Sequence, residues 1–550
     1  MPSLIYRCGL SLALVGSACV VNRDLADSFG IIKIAVAMLG AVVLLVHWYD
    51  LRRTSLDAPI AATAAAIGIS WAYSLDHRVG MIGVYGQPFH GLAAIIPAVV
   101  IFYVVASHRR RWPDGPYICA AVIAIANGLV CAAQLAGLVA APFDTVSGRA
   151  IGLFGSPVFL GAVMAVCVPA SMMLALRGSK LGLIGIAGGF MAITACGSRG
   201  PWIALAVSGL ASMAASGRYR PRLAHIAGIL AVAGILAIPT IGKLNSDSGR
   251  LMTWGIAARA GMDHPVMGWG PDTFALANRA LKTPASVAAV GDRTIQASAH
   301  NDLLQAWATT GILGLLALIW LWTAVLRIAW PSPFVFCSVV ALFVVAKFNP
   351  VPPSAYYIAA ALVGSVVATS ARTSRWLWGA CAVAFIVVWP RVGKQYRGES
   401  LHSQGNILLR QGNLKRGADM LRGANELVPT DINYANARIM LLIRLSSPDI
   451  ESPRREFAKR ALRVAAAVVV AHPNDPSAYE LMSTAEIFAA QMFGPGLARA
   501  ALLSARRAVV LDPLMDFSLV RLGQAAMMTG DVKQARATAE RIRMVRSLKK

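Results

Sequence analysis

The stretch Ala299-His300-Asn301-Asp302-Leu303-Leu304-Gln305 lies where a polar segment of the chain turns into an apolar one. Residues 242–302 are polar and interrupted by glycine and proline, whereas residues 303–326 are apolar. A helix needs about 20 apolar residues to cross a bilayer. The pattern therefore predicts a water-exposed loop followed by a membrane span, with Asn301 or Asp302 as the cap of its helix.

His300 lies at the predicted start of that helix. A helix N-terminus presents free backbone N–H groups and the positive end of its dipole, which favour a phosphate. The same dipole disfavours a protonated imidazole, so the side chain is biased toward the neutral form that can accept a proton. His300 is therefore a candidate general base, although a histidine at a helix start is also typical of a capping or packing residue.

Composition places the chain among polytopic membrane proteins with room for one further domain. Of its 550 residues, 57% are hydrophobic and 14% are charged. A formal net charge of +25 would indicate nucleic-acid binding in a soluble protein. In a membrane protein the same excess is typical of Lys and Arg in cytoplasmic loops, so we expect contact with membrane lipids and none with nucleic acid.

The apolar runs predict an all-α, polytopic membrane helical bundle of thirteen spans. They lie near residues 4–21, 29–48, 58–75, 91–107, 116–138, 156–176, 181–197, 201–216, 223–241, 303–326, 333–348, 355–370 and 376–390. The first run resembles a signal peptide, but we interpret it as a retained span because no soluble segment follows it. Lys and Arg concentrate on the side of the N-terminus, which predicts that the loop 242–302 and everything after Pro390 are extracytoplasmic.

The chain changes character after the last span, which predicts a transmembrane domain over 1–390 and a soluble helical domain over 391–550. In the latter, helix ends recur before three prolines, at Pro429, Pro473 and Pro513. The prolines are spaced more widely than the ~34-residue tetratricopeptide period, yet residues 522–539 resemble a tetratricopeptide hairpin. We predict a tetratricopeptide-like α-solenoid of three to four degenerate repeats that packs mainly within itself, so that its removal leaves the membrane site intact. Its default role is to bind a protein partner.

All eight cysteines lie in predicted spans, at positions 8, 19, 119, 131, 167, 196, 337 and 381. The exposed parts therefore have neither a disulfide framework nor a cysteine-based metal site. The predicted outer loops also contain no Asp-x-Asp and no His-Glu-x-x-His, so we expect no metal and no cofactor.

Four arginines on the predicted outer side need an explanation: Arg149, Arg199, Arg250 and Arg259. An interfacial arginine commonly extends its guanidinium to lipid headgroups, and we prefer that interpretation for Arg259. Arg199 differs because it stands in a very short outer turn, where the positive-inside bias makes an arginine unusual. Several such arginines near one histidine would form a cradle for a diphosphate, which guanidinium groups bind in a bidentate fashion.

Several of these blocks resemble the O-antigen ligase/polymerase superfamily over roughly residues 70–320. The resembling blocks are Val84-Tyr85-Gly86-x-x-x-x-Gly91, Gly197-Ser198-Arg199-Gly200, Arg250-x-x-x-Trp254, Pro265-x-x-Gly268-x-Gly270, and His300-Asn301-x-x-Leu304 followed by Thr310-Gly311-Ile312-Leu313-Gly314. The block that contains His300 is the most specific of them. The tetratricopeptide-like tail resembles those fused to some members.

The resemblance implies a metal-independent glycosyltransferase, similar to the GT-C class, on the outer face of the bacterial inner membrane. Its donor would be a glycan on a polyprenyl (undecaprenyl) diphosphate, and its acceptor a lipid core as in lipopolysaccharide, another glycan or a protein. By matching, His300 would be the general base, and Arg199 and Arg250 would hold the diphosphate. Arg149 is a weaker match, because Ser156-Pro157-Val158 stands where the family often has Asn-Pro-Asn. Four further residues would support the site: Asn301, Trp254, Gly268 and Gly270.

Other functions stay open at this point. A polymerase of O-antigen or exopolysaccharide would use the same chemistry as a ligase. A transporter would need charged or broken helices near the bilayer midplane, and the predicted spans contain few carboxylates for proton or cation coupling. A scaffold for the repeats would leave the arginine and histidine pattern unexplained.

Overall fold

The computed structural model describes residues 2–47, 50–139, 145–215, 245–373, 375–446 and 451–548, and the chain is mostly helical. The first part contains α1 (Pro2–Ser11), α2 (Ser17–Cys19), α3 (Ile31–Leu45), α4 (Asp57–Ala72), α5 (His77–Ile82), α6 (Leu92–His108), α7 (Gly115–Leu135), α8 (Pro157–Leu176), α9 (Lys180–Cys196) and α10 (Arg199–Ala215). A π-helical turn (Leu12–Gly16) joins α1 to α2, and a 3₁₀ turn (Arg109–Arg111) extends α6.

The middle part contains α11 (Asn245–Asp263), α12 (Phe274–Leu281), α13 (Pro284–Val290), α14 (Asp302–Ala329), α15 (Pro333–Ala346) and α16 (Pro353–Val366). Two short strands, β1 (Arg52–Thr54) and β2 (Thr369–Thr373), pair antiparallel. The predicted outer loop is thus not an irregular connection, since α11, α12 and α13 fill most of it. The helical spacing around Trp254 is confirmed, and α11 ends just before His264-Pro265.

Four described helices are long and apolar enough to cross a membrane: Leu92–Arg111, Gly115–Leu135, Pro157–Leu176 and Asp302–Ala329. Shorter apolar helices are Ser3–Cys19, Ile31–Leu45, Lys180–Cys196, Pro333–Ala346 and Pro353–Val366. The predicted span at 223–241 lies outside the described residues. A membrane-integral helical bundle therefore agrees with the structure, and the number of thirteen spans stays a prediction.

The long helix α14 changes direction at Gly311, whose backbone is left-handed (φ 64°, ψ −161°). The break leaves carbonyl groups of α14 without helical partners, and the segment that follows α11 uses them. The Trp269 N–H donates to the Ala308 carbonyl at 3.0 Å, and the Gly270 N–H donates to the Thr309 carbonyl at 2.9 Å. On the other side of the break, the Ile312 N–H donates to the Pro265 carbonyl at 2.8 Å. Three backbone hydrogen bonds thus join the block that begins at Pro265 to the block around Gly311.

The C-terminal part consists of α17 (Arg375–Arg410), α18 (Leu414–Leu427), α19 (Ile432–Leu445), α20 (Glu451–Ala471), α21 (Pro476–Phe493), α22 (Pro495–Leu511), α23 (Asp516–Met528) and α24 (Val532–Ser547). Helices α18, α20 and α22 end just before Pro429, Pro473 and Pro513, as the sequence predicts. Helix α17 is continuous across residues 390 and 391, so the domain boundary predicted there falls inside a helix.

The repeats pack mainly within themselves, as predicted, and their apolar clusters contain only residues of the repeats. Two groups of buried polar contacts join them to the rest of the chain. One group links Arg78 of α5 to Asp431, with 2.5 Å between Nη2 and Oδ2. The other links Arg279 of α12 to Asp512, with 2.9 Å between Nε and Oδ2. The repeats and the segment 245–302 therefore lie at the same end of the bundle.

Candidate active site

His300 occupies a tight turn that side chains on both sides hold in place. Its backbone is left-handed (φ 56°), a region that non-glycine residues visit at a cost of about 1–2 kcal/mol. The His300 N–H donates to Ser298 Oγ at 3.2 Å, and the Ala299 N–H donates to Gln305 Oε1 at 2.8 Å. The Asn301 side chain then caps α14, because Oδ1 accepts the N–H groups of the second and third helical residues at 3.0 and 3.1 Å. The predicted cap is confirmed.

The environment of His300 keeps its imidazole neutral. Burial, and secondarily the positive charge of Arg250, lower the pKa of His300 to about 4. Its Nε2 lies 3.3 Å from Oε1 of Gln296. Its Nδ1 is buried and has no hydrogen-bond partner within the described part of the chain. A buried, unpartnered nitrogen on a neutral imidazole is suited to accept a proton from a bound substrate.

Arg250 meets the turn that carries Arg199 through a shared asparagine. Arg250 Nη2 donates to Asn349 Oδ1 at 3.3 Å. Asn349 is buried and also lies against Gly200, where a Cβ atom would come within 2.7 Å of Asn349 Nδ2. The absence of a side chain at position 200 leaves room for the Asn349 amide, which brings the start of α10 next to the start of α11.

Arg149 also hydrogen-bonds to the turn that carries Arg199. Its Nε donates to the Cys196 carbonyl at 2.7 Å, and its Nη2 donates to Ser198 Oγ at 2.6 Å. Gly197, in a left-handed conformation (φ 55°), ends α9 between those two contacts. Arg149 thus supports the turn that presents Arg199, and two of its guanidinium nitrogens are engaged by the protein itself.

An ion pair fixes the start of α14 relative to the end of α15. Lys347 Nζ pairs with Asp302, the first residue of α14, and both side chains are largely buried. Trp322 Nε1 donates to the other carboxylate oxygen of Asp302 at 2.9 Å. Beyond Lys347, Phe348 packs at an angle against Trp254, with 6.4 Å between the ring centroids. The ends of α10, α11, α14 and α15 therefore converge around His300.

Gly268 and Gly270 contribute to the scaffold and not to the polar surface around His300. Both have positive φ (67° and 117°). A Cβ on Gly268 would overlap the Thr309 carbonyl group, and one on Gly270 would overlap the Ser74 hydroxyl. Asp272, two residues on, is buried and accepts the Val84 N–H at 3.0 Å, which joins this segment to the Val84-Tyr85-Gly86 turn.

Arg259 lies apart from these residues. Its side chain is exposed, and its Nη2 donates to the Leu281 carbonyl at 3.1 Å. Of the four arginines considered for the site, the structure therefore brings Arg149 and Arg250 to the turn that carries Arg199 and leaves Arg259 outside. Within the described ranges, no group of three or more His, Cys, Asp or Glu side chains is placed to hold a metal ion.

The site combines a neutral imidazole with guanidinium groups at one end of the helical bundle. Residues 165–319 match the O-Antigen ligase family model. The matched segment includes Arg199, Arg250 and His300, whereas Arg149, Asn349 and the repeats lie outside it. Together with the apolar helices, this match supports a membrane-integral glycosyltransferase of the ligase or polymerase type, acting on a glycan or lipid-linked substrate.

No curated protein matches the chain. Among solved structures, a MamA RS-1 ArsTM double mutant is similar at 23% identity and a TM-score of 0.23, covering 30% of this chain and 84% of that one. MamA 41-end from Desulfovibrio magneticus RS-1 is similar at 23% identity and a TM-score of 0.22, covering 30% and 83%.

Sequence reasoning missed two residues that build the site, Gln296 and Asn349. Gln296 contacts the His300 imidazole, and Asn349 joins Arg250 to the turn after α9. The only signal for Asn349 was its place in Phe348-Asn349-Pro350, a polar turn directly after a predicted span. Gln296 had no signal, because its contact depends on how the segment before α14 folds back.

Proposed function

We propose that the protein transfers a glycan from a polyprenyl diphosphate to a hydroxyl group of an acceptor, in the manner of an O-antigen ligase. The acceptor is a lipid core, another glycan or a protein. The reaction takes place at the extracytoplasmic face of the bacterial inner membrane, where α11 to α14 and the C-terminal repeats meet. The observation that carries the proposal is the buried, unpartnered Nδ1 of His300 near Arg250, which is linked through Asn349 to the turn of Arg199.

In the proposed reaction, His300 Nδ1 takes the proton of the acceptor hydroxyl while the hydroxyl oxygen attacks the anomeric carbon of the donor. A new glycosidic C–O bond forms, and the bond from that carbon to the diphosphate oxygen breaks. The electron pair leaves with the polyprenyl diphosphate. Arg199 and Arg250 stabilise the charge that develops on the departing group, which is the task that a metal ion performs in many other glycosyltransferases. The chemistry therefore needs no metal.

Transfer from a purified polyprenyl-diphosphate glycan, measured in nanodiscs with and without a chelator, tests this proposal. His300→Ala should lower the rate by ~10²–10⁴-fold, the usual contribution of a general base. Arg199→Lys and Arg250→Lys should also be impaired, because a point charge cannot reproduce the guanidinium fork. Arg259→Lys, an exposed arginine outside the site, is the matched control and should retain the wild-type rate. A fully active His300→Ala protein would remove the base from the mechanism, and loss of activity with chelator would contradict metal independence.

A further inference from the structure

Gln296 is the side chain that contacts the imidazole ring of His300 through its Nε2 atom. Its Oε1 lies 3.3 Å from His300 Nε2. A carbonyl oxygen accepts a hydrogen bond and cannot donate one, so a contact with Oε1 favours the tautomer with its proton on Nε2. The lone pair then lies on Nδ1, the buried nitrogen that has no partner among the described residues. Gln296 thus leaves free the atom that the proposed mechanism uses as the base.

Gln296 belongs to an irregular segment, residues 291–298, which α12 and its C-terminus hold in place. The Gln296 N–H donates to Asn278 Oδ1 at 3.2 Å. Lys282 Nζ donates to the Asp292 carbonyl at 3.0 Å. Because this segment has no helical or strand hydrogen bonds of its own, the position of Gln296 depends on where α12 lies.

The C-terminal repeats hold α12 through a buried cluster of charges that we call the latch. It consists of Arg279 and Lys282 with Asp475, Glu480 and Asp512. Arg279 Nη2 lies 3.0 Å from Glu480 Oε1, and Lys282 Nζ lies 2.7 Å from Asp512 Oδ1. The side chains of Arg279, Lys282 and Asp512 are 5%, 4% and 0% exposed. At this burial a single charged side chain would be strongly destabilising, and these side chains are tolerated because opposite charges lie in contact.

The latch continues directly into the segment that carries Gln296. The Asp516 N–H, at the start of α23, donates to Asp292 Oδ2 at 3.0 Å. Asp292 is itself buried. The repeats therefore contact both α12 and the irregular segment after α13. A path of contacts leads from Asp512 to Lys282 and on to Asp292, which lies four residues before Gln296 on the same segment.

We propose that the C-terminal repeats position the candidate base: the latch holds α12 and the segment 291–298, and Gln296 on that segment sets the tautomer of His300. This inference rests on the proposed role of His300. It makes the repeats a structural part of the active site, in addition to any partner that they bind.

The latch is tested with Asp512→Asn, which removes the charge opposite both Arg279 and Lys282 but keeps the shape of the side chain. Its matched control is Asp419→Asn, which removes an exposed ion pair with Arg422 inside α18. Hydrogen–deuterium exchange of the full-length protein in nanodiscs is measured on the peptides that cover residues 284–298. Asp512→Asn should speed their exchange several-fold, and Asp419→Asn should leave it unchanged. Equal exchange in both variants would overturn the role of the latch.

The tautomer is tested with two variants of Gln296. Gln296→Leu removes the acceptor and should lower transfer by about 10- to 100-fold, as does loss of the partners that orient metal-bound histidines. Gln296→Glu keeps an acceptor and should restore transfer to within a few-fold of wild type. Its carboxylate should also shift the acid limb of the pH–rate profile to higher pH, which a purely structural role would not do. The control is Gln411→Leu, an exposed position in the repeats.

The outcomes separate this inference from the proposed function. If Gln296→Leu and Gln296→Glu both retain the wild-type rate and pH profile, Gln296 does not set the tautomer. If His300→Ala is fully active, the proposed function fails, whereas the exchange result still decides whether the repeats hold the segment 291–298.

Discussion

At the scale of single residues, the site depends on a histidine that stays neutral and on arginines that are held in fixed positions. His300 is half-buried in a left-handed turn, and its Nδ1 atom is buried and has no hydrogen-bond partner in the described chain. Arg250 contributes twice, because it lowers the pKa of His300 and is proposed to bind the diphosphate. Together with burial, which is the larger cause, the same charge keeps the proposed base neutral before any substrate is present.

The first prediction follows from that pKa. A histidine whose folded pKa is depressed to about 4 stays neutral at every pH above that value. Diethyl pyrocarbonate reacts with neutral imidazole, so its reaction with His300, followed by mass spectrometry, should have a midpoint near pH 4 and not near the ordinary ~6.5. Arg250→Gln removes one of the two causes of the depression and should move the midpoint upward. Arg259→Gln should not move it, and a wild-type midpoint near 6.5 would contradict the burial of this imidazole.

The residues of the site were only partly predictable from the sequence. His300, Arg199 and Arg250 stood out because charge and imidazole are unusual at the predicted outer ends of apolar spans. Asn349 and Gln296 are neutral amides, which carry no such signal. Their roles arise from close approaches between elements distant in the chain, and the pattern of residues along the chain does not encode these approaches.

At the scale of elements, the break in α14 is the feature that fixes the site to the bundle. Gly268 lies against the backbone of Thr309, and Gly311 lies against the backbone of Val266. The carbonyl groups released by the break accept hydrogen bonds from the segment after α11. The glycines themselves were visible in the sequence as two separate blocks. Their pairing was not predictable, because it results from a contact between two backbone segments that are about 40 residues apart along the chain.

The second prediction concerns Gly311→Ala. A Cβ at this position would overlap the Val266 carbonyl group and lie 2.7 Å from the Met267 nitrogen, in a backbone with φ 64°. The strained backbone and the overpacking should each destabilise the fold by about 1–3 kcal/mol. Thermal unfolding of the purified protein measures the loss. Gly255→Ala in α11 is the control, because its Cβ meets nothing within 4 Å and alanine favours a helix. An unchanged midpoint for Gly311→Ala would show that the two segments are not in close contact.

At the scale of the whole molecule, the repeats are docked on the same end of the bundle as the candidate site. His472, at the end of α20, hydrogen-bonds through Nδ1 to the Asp76 carboxylate, which also caps α5. Its Nε2 lies 2.8 Å from the Thr430 carbonyl. Burial lowers the pKa of His472, but the hydrogen bond and the charge of Asp76 outweigh it, and the net shift is upward.

The third prediction is the pH dependence of this docking. A histidine whose folded pKa is raised above its unfolded value stabilises the fold fully below about pH 6.5, and this contribution is lost as pH rises through the folded pKa. Thermal stability should therefore fall as the pH is raised above neutrality. Asp76→Asn should flatten that dependence while it preserves the helix cap, since asparagine also caps helices. The comparison variant is Asp531→Asn at the cap of α24, which should keep the wild-type slope. A slope that survives in Asp76→Asn would assign the pH dependence to another group.

The helices of the bundle and of the repeats were predictable from composition. The contacts between the bundle and the repeats were not. Long apolar runs gave the helices of the bundle, and prolines marked the ends of the repeat helices. The docking of the repeats was not predictable, because Arg78, Arg279 and His472 look like ordinary surface charges in the sequence. Their carboxylate partners lie hundreds of residues away along the chain.

Helix α17 fixes the rotation of the repeats relative to the bundle. Because α17 runs without interruption from the bundle into the repeats, no hinge loop separates the two, and any turn of one end is passed to the other. Each residue added within it would rotate the repeats by about 100° and lift them by about 1.5 Å. Seven added residues would bring the angle back to within about 20° but would raise the repeats by about 10 Å, out of reach of their charged partners. The number of residues in this helix therefore sets both the distance and the rotation of the repeats relative to the bundle.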